Sequence, residues 1–180
     1  MLVLTRFFCF LPLAWITASA DVGALRRTEG GAQPTDFLPA PPADFDSTAF
    51  VASEGITFER LLGDVQAAWS NEDIAKLHTL ATPEMVSYFS KDLEENKARN
   101  VTNKTSNVKL LQGDLAEAWR EGDSEYATVA MRYSLVDTML ERGTGRQVGG
   151  STQPEEITEV WTFVRQRGGN WELSAIQQTN

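Results

Sequence analysis

The chain has 180 residues and a formal net charge of −9, long enough for one domain with its own core. That acidity argues against a general nucleic-acid binder, which needs a basic surface to neutralise phosphates, and against strong attraction to anionic lipid. Its one cysteine, Cys9, lies close to the N-terminus, so the rest of the chain has neither thiol chemistry nor a disulfide and must be stabilised by packing.

Residues 2–20 carry Arg6, an apolar run from Phe7 to Ile16, and then Ala18-Ser19-Ala20. One basic residue, a short apolar core and an A-x-A site predict a secretory signal peptide, or a membrane anchor if it is not cleaved. The run is short for a membrane span and has Pro12 in its middle. Residues 21–54 contain Gly30-Gly31, Pro34, Pro39 and Pro41-Pro42 and read as a linker, with Phe37, Phe45 and Phe50 placed to pin it to a domain at 55–180.

Thr57 is the expected cap of a first helix, in which Phe58, Leu61, Leu62, Val65 and Trp69 fall on one face. A short second helix is expected from Glu72 to His78, capped by Asn71. A third opens at Thr82-Pro83-Glu84, carries Met85, Tyr88, Phe89 and Leu93, and runs out near residues 96–100. After Asn103 the pattern becomes strand-like. Val108 to Trp119 is one strand, bent at Gly113, and Glu121-Gly122-Asp123 is a turn. In Tyr126 to Met139 the apolar odd positions are Ala127, Val129, Met131, Tyr133, Leu135 and Met139, a half-buried strand. Residues 143–154 form a polar, Gly-rich connection.

The last segment, Glu159 to Ile176, reads as a β-hairpin turning at Gly168-Gly169. The register that best matches charge and apolar pairs sets Arg165 opposite Glu172, Val164 opposite Leu173 and Trp161 opposite Ile176. It leaves Trp161, Phe163 and Ile176 on one face and Val160, Val164, Trp171 and Leu173 on the other. One face packs on the helices, and the other calls for a cover, from a second subunit or the linker phenylalanines. Helices followed by strands predict an α+β fold, three N-terminal helices on a curved, mainly antiparallel sheet of about four strands.

No phosphate loop, nucleophile elbow or metalloprotease signature is present, and no cofactor is expected. His78 has no companions at ligand spacing, so it reads as a surface or helix-end residue and no metal site is expected. Tyr133 and Asp137 share a strand face and form the one candidate donor–base pair for a cavity enzyme; a core tyrosine and a strand-end aspartate is the simpler reading. Between residues 91 and 109, Lys91, Lys97, Arg99, Lys104 and Lys109 outnumber Asp92, Glu94 and Glu95, five against three, a local +2. Lys97, Arg99 and Lys104 are candidate contacts for anionic headgroups, against a solvated mixed helix face. Asn100-Val101-Thr102 and Asn103-Lys104-Thr105 match the glycosylation sequon and read as coincidence.

Several of these segments carry a family likeness: Phe58-Glu59-Arg60-Leu61-Leu62, Ala81-Thr82-Pro83-Glu84-Met85, Val129-Ala130-Met131-Arg132-Tyr133-Ser134, Glu159 to Arg165, and Asn170-Trp171-Glu172-Leu173. Together, over residues 55–178, they resemble the Tim44-like family, bacterial proteins similar to the C-terminal domain of the mitochondrial inner-membrane translocase subunit that tethers the import motor. The resemblance implies a nuclear-transport-factor-two-like or cystatin-like cone, membrane association, and protein or lipid contact in place of catalysis. It also implies the bacterial cell envelope, at the inner membrane or in the periplasm. The short Pro-containing linker departs from family members with a Gly-rich region and a second apolar segment, a departure that bears on membrane attachment and topology. The long N-terminal region by which the mitochondrial subunit meets motor and channel has no counterpart in the sequence, so a motor-tethering role is not expected to carry over. The expected function is a non-enzymatic interaction domain that binds protein segments or lipid through its apolar cone or sheet face. Trp161, Phe163, Trp171, Ile176, Tyr133 and Met131 are its expected ligand or partner surface, and membrane proteins or a second copy its partners. A ketosteroid-isomerase-like cavity enzyme and a structural oligomerisation domain are the alternatives.

Overall fold

Phe58, Leu61, Leu62, Val65 and Trp69 are all buried, as a single apolar stripe on one helix requires. In the computed structural model, which describes residues 47–179 and their side chains from Glu54 onward, that helix is α1, Ser47–Ser70. It begins well before the Thr57 start expected from sequence. Gly55 and the β-branched pair Ile56-Thr57 look like a helix boundary but lie inside α1, so residues 47–54 are helix where linker was expected. The expected leader, most of the expected linker, Phe37, Phe45 and the side chain of Phe50 lie outside the described residues.

Helix α2 is one turn, Ile74–Leu77. Its cap is Asp73, not Asn71: the Asp73 carboxylate accepts the Lys76 N–H at 2.9 Å. Helix α3, Pro83–Ala98, starts as its sequence dictates, with Thr82 as N-cap and Pro83 in the first turn, and buries Met85, Val86, Phe89 and Leu93. Asn100 then takes a left-handed conformation (φ 59°) and turns the chain into the sheet.

The strands are β1 (Val101–Glu121), β2 (Ser124–Glu141), β3 (Gln147–Gly150), β4 (Glu155–Gln166) and β5 (Glu172–Gln178). They form one antiparallel sheet ordered β1-β2-β4-β5, with β3 pairing the far end of β2 beyond β4. The architecture is α+β, the helices packed on one face of the sheet. Strand β1 starts seven residues earlier than expected, because its polar first residues pair with the end of β2 and lie against the end of α1. The Gly-rich connection hides β3, so the described sheet has five strands. Gly150 is required there: at φ +73° a Cβ would sit 2.2 Å from the Asp137 carbonyl oxygen.

The closing hairpin keeps Trp161 opposite Ile176, but Arg165–Glu172 and Val164–Leu173 are replaced by Val164–Glu172 and Phe163–Leu173. A β-bulge at Ser174 absorbs one residue between the two halves of β5. Its physical effect is a change of face. Leu173 and Trp171 turn inward with Trp161 and Phe163, so both hairpin tryptophans lie in the core, correcting the expectation that they face opposite ways. Phe58 of α1 stacks on Phe163 at 4.6 Å and meets Trp171 at 5.5 Å, locking the helix to this inner face.

Candidate functional site

On the inner face of β4, two positions before Trp161, stands Glu159, fully buried at 0 % exposure. Its Oε2 accepts the Tyr133 hydroxyl at 2.7 Å and the Trp161 indole N–H at 2.9 Å. Its Oε1 has only the long 3.5 Å approach of the Gln178 amide, from the exposed end of β5. Burial pushes the Glu159 carboxyl above the usual carboxylate range, against the opposing pull of the donors from Trp161, Tyr133 and Gln178. Burial, then the neighbouring Glu159, also pushes the Tyr133 phenol upward.

Asp137 belongs to a different chain of polar groups. The Trp69 indole N–H donates to Asn103 Oδ1 at 2.9 Å, and the Asn103 amide donates to Asp137 at 2.5 Å. Burial raises the Asp137 carboxyl, with the Asn103 bond opposing and Glu155 reinforcing. Tyr133 and Asp137 therefore do not form the donor–base pair that a cavity enzyme on those residues requires. The acid that Tyr133 meets is Glu159, delivered from β4 by the pairing of Met131 with Glu159. Alternation marked this residue: Glu159, Trp161 and Phe163 recur at period two, so the carboxyl had to share the tryptophan's buried face.

At the opposite end of the inner face, Arg165 lies between Glu125 (2.7 Å) and Glu54 (3.0 Å) and over the Trp171 ring at 4.3 Å. Glu54 also accepts the Trp171 indole N–H at 2.9 Å, so one carboxylate of α1 clasps both strands of the last hairpin. Arg165, the largest influence, holds the Glu125 carboxyl below its ordinary range. On the outer face the rings of Trp119 and Tyr126 stack at 4.8 Å, followed across the sheet by Val164, with Val160 farther along β4; all are half-buried.

The Tim44-like domain model matches residues 38–178. The chain belongs to the Tim44-like family. No curated protein matches this Tim44-like chain. Among solved structures it is similar to the intermembrane-space region of the chloroplast protein ARC6, at 12% identity and TM-score 0.48, covering 69% of this chain and 96% of that one. It is also similar to a conserved protein from Planctomyces limnophilus DSM 3776, at 13% identity and TM-score 0.36, covering 71% of this chain and 99% of that one.

In this Tim44-like domain, Trp161, Phe163, Trp171, Ile176, Tyr133 and Met131, expected to form a ligand or partner surface, are all buried in the core cluster, so they line the interior and present no open surface. Among the three candidate cations for anionic headgroups, Lys104 is committed: its ammonium sits 2.5 Å from the Ser70 carbonyl oxygen, where a cation complements the C-terminal end of α1. Lys97 and Arg99 are exposed at the end of α3. His78 is an exposed helix-end residue. Among the described residues no acidic, histidine or cysteine group is arranged to hold a metal, and no helix is long and apolar enough to cross a membrane.

Proposed function

We propose that this Tim44-like domain is a membrane-associated, non-enzymatic interaction domain of the bacterial cell envelope, at the inner membrane or in the periplasm. Its partner is a segment of a membrane protein or a lipid. The observation that carries the reading is the family match across residues 38–178. The buried aromatic interior between α1, α3 and the sheet supports a nuclear-transport-factor-two-like cone. The half-exposed outer strip of Trp119, Tyr126, Val160 and Val164 supports contact through the sheet face.

Site-specific photo-crosslinking in membranes tests this. A crosslinker at Val164 is expected to trap a discrete membrane-protein or lipid adduct. One at Val148, which is exposed on β3 away from that strip, is expected to trap none. An adduct at twice the chain mass would favour the homodimer and the structural reading. Equal, diffuse labelling from both positions would remove the sheet face as the contact surface.

A further inference from the structure

Strand β5 is divided by the Ser174 bulge into two halves that are held differently. Before the bulge, Leu173 is gripped on its outer edge: its N–H donates to the Leu80 carbonyl at 2.8 Å, and its carbonyl accepts the Thr82 N–H at 2.9 Å. Beyond the bulge, Ile176, Gln177 and Gln178 pair with β4 on one side, and Thr179 adds a hydroxyl bond to the Thr158 carbonyl. No strand lies on the other edge among the described residues. Beside this second half, on β4, sits Glu159: it pairs with Gln178, whose amide approaches its Oε1 at 3.5 Å.

We infer that Glu159 is a proton-operated latch on the C-terminal half of β5: neutral, it lets residues 175–179 lie on the sheet, and ionised, it drives them off about the Ser174 bulge. The charge environment makes the device one-sided. From β2 it meets the neutral Tyr133 hydroxyl, and Asp137 lies farther along that strand, acting on Tyr133. From β4 it meets the Trp161 indole, and from β5 the uncharged Gln178. No charge on α1, α3 or any other described element acts on Glu159, so a carboxylate there has no cation to compensate it. With Oε2 occupied by two donors, the acid proton belongs on Oε1, the oxygen facing the end of β5. When that proton passes to solvent water, Oε1 becomes an anion needing hydration, and the half of β5 beyond the bulge, whose Gln178 amide approaches that oxygen at 3.5 Å, is the part that gives way to admit water. Lifting it uncovers Ile176 and Trp161, the aromatic interior otherwise closed to any partner. The inference goes beyond the partner reading, and its readout is the free chain.

Hydrogen exchange of the full chain from about pH 5 to about pH 9, corrected for intrinsic exchange, tests the latch. Protection of the amides at 176–179 is expected to fall by up to about tenfold per pH unit above the titration of Glu159, while the β1–β2 hairpin keeps its protection. Glu159→Gln, isosteric and without a proton to lose, is expected to abolish the dependence. Tyr133→Phe removes a donor to the anion and is expected to move the transition to higher pH, which keeps the test available if the glutamine variant folds poorly. A flat wild-type profile, the same profile in Glu159→Gln, or loss of protection across the whole sheet at once would each overturn the latch.

Discussion

Gln66 and Asn96 are fully buried, and their side-chain amides have no hydrogen-bond partner among the described residues. A buried donor or acceptor left without a partner costs about 1–3 kcal/mol, so Gln66→Leu, similar in volume, is expected to raise the unfolding free energy by about 1 kcal/mol or more. Denaturant unfolding measures this, and an unchanged or lower midpoint would count against it. Asp92 on α3 gives a second residue-scale prediction. Burial first, then Glu95, pushes its carboxyl from 3.8 up to about 6. The folded state thus prefers the protonated form, and stability falls as pH rises from about 4 through about 6. Asp92→Asn is expected to flatten that slope and to raise the melting temperature at pH 7 with little change at pH 4, as thermal scans at both values would show. Glu159 was not singled out in the sequence, where its period-two spacing from Trp161 was the available signal, and its acceptor role was not legible because the Tyr133 hydroxyl comes from a strand 26 residues away. The same distance in sequence explains why Asp137, four positions along one strand, looked like the better partner for Tyr133.

Among the elements, the hairpin shows most clearly what pattern reveals and what it hides. The Trp161–Ile176 pair was legible from composition. The bulge was not, because one extra residue at Ser174 leaves no mark in residue type, although it turns Leu173 and Trp171 into the core. The first turns of β1 were hidden for another reason: Thr102, Asn103, Lys104 and Thr105 are polar, and they bond to Glu72, Trp69, Ser70 and Gln66 respectively, contacts that local propensity does not reveal. Helix α3, whose cap and apolar stripe are local, was read almost to the residue. Glu54 ties α1 to distant partners, and the effect of that tie is testable. Glu54→Ala removes the acceptor shared by Arg165 and Trp171, so exchange in the α1 residues that precede Phe58 is expected to rise several-fold while α3 is unaffected. Equal exchange in the variant and the wild type would show that the buried stripe from Phe58 to Trp69 holds α1 without the clasp. Phe163→Ala, which removes the ring stacked on Phe58, is expected to cost about 3–5 kcal/mol by denaturant unfolding.

At the scale of the whole molecule, β2 is the organiser: it pairs with β1, β3 and β4 and supplies the inner row from Ala127 to Met139. The order of helices and strands, and hence the α+β class, was readable because each element carries its own periodicity. The closed interior was not, since it depends on which faces the bulge and the helices seal. Net acidity also acts at this scale. With a sequence pI of about 4.6, the chain is expected to be least soluble near that pH, and light scattering across a pH series would detect the minimum. The clasp of Glu54 on Arg165 and Trp171 spans 111 and 117 residues of sequence. During synthesis, therefore, the apolar stripe of the first described helix emerges long before its partners exist. Phe58 has to wait for Phe163 and Trp171, so this helix face stays uncovered, and available to chaperones, until those residues have been made.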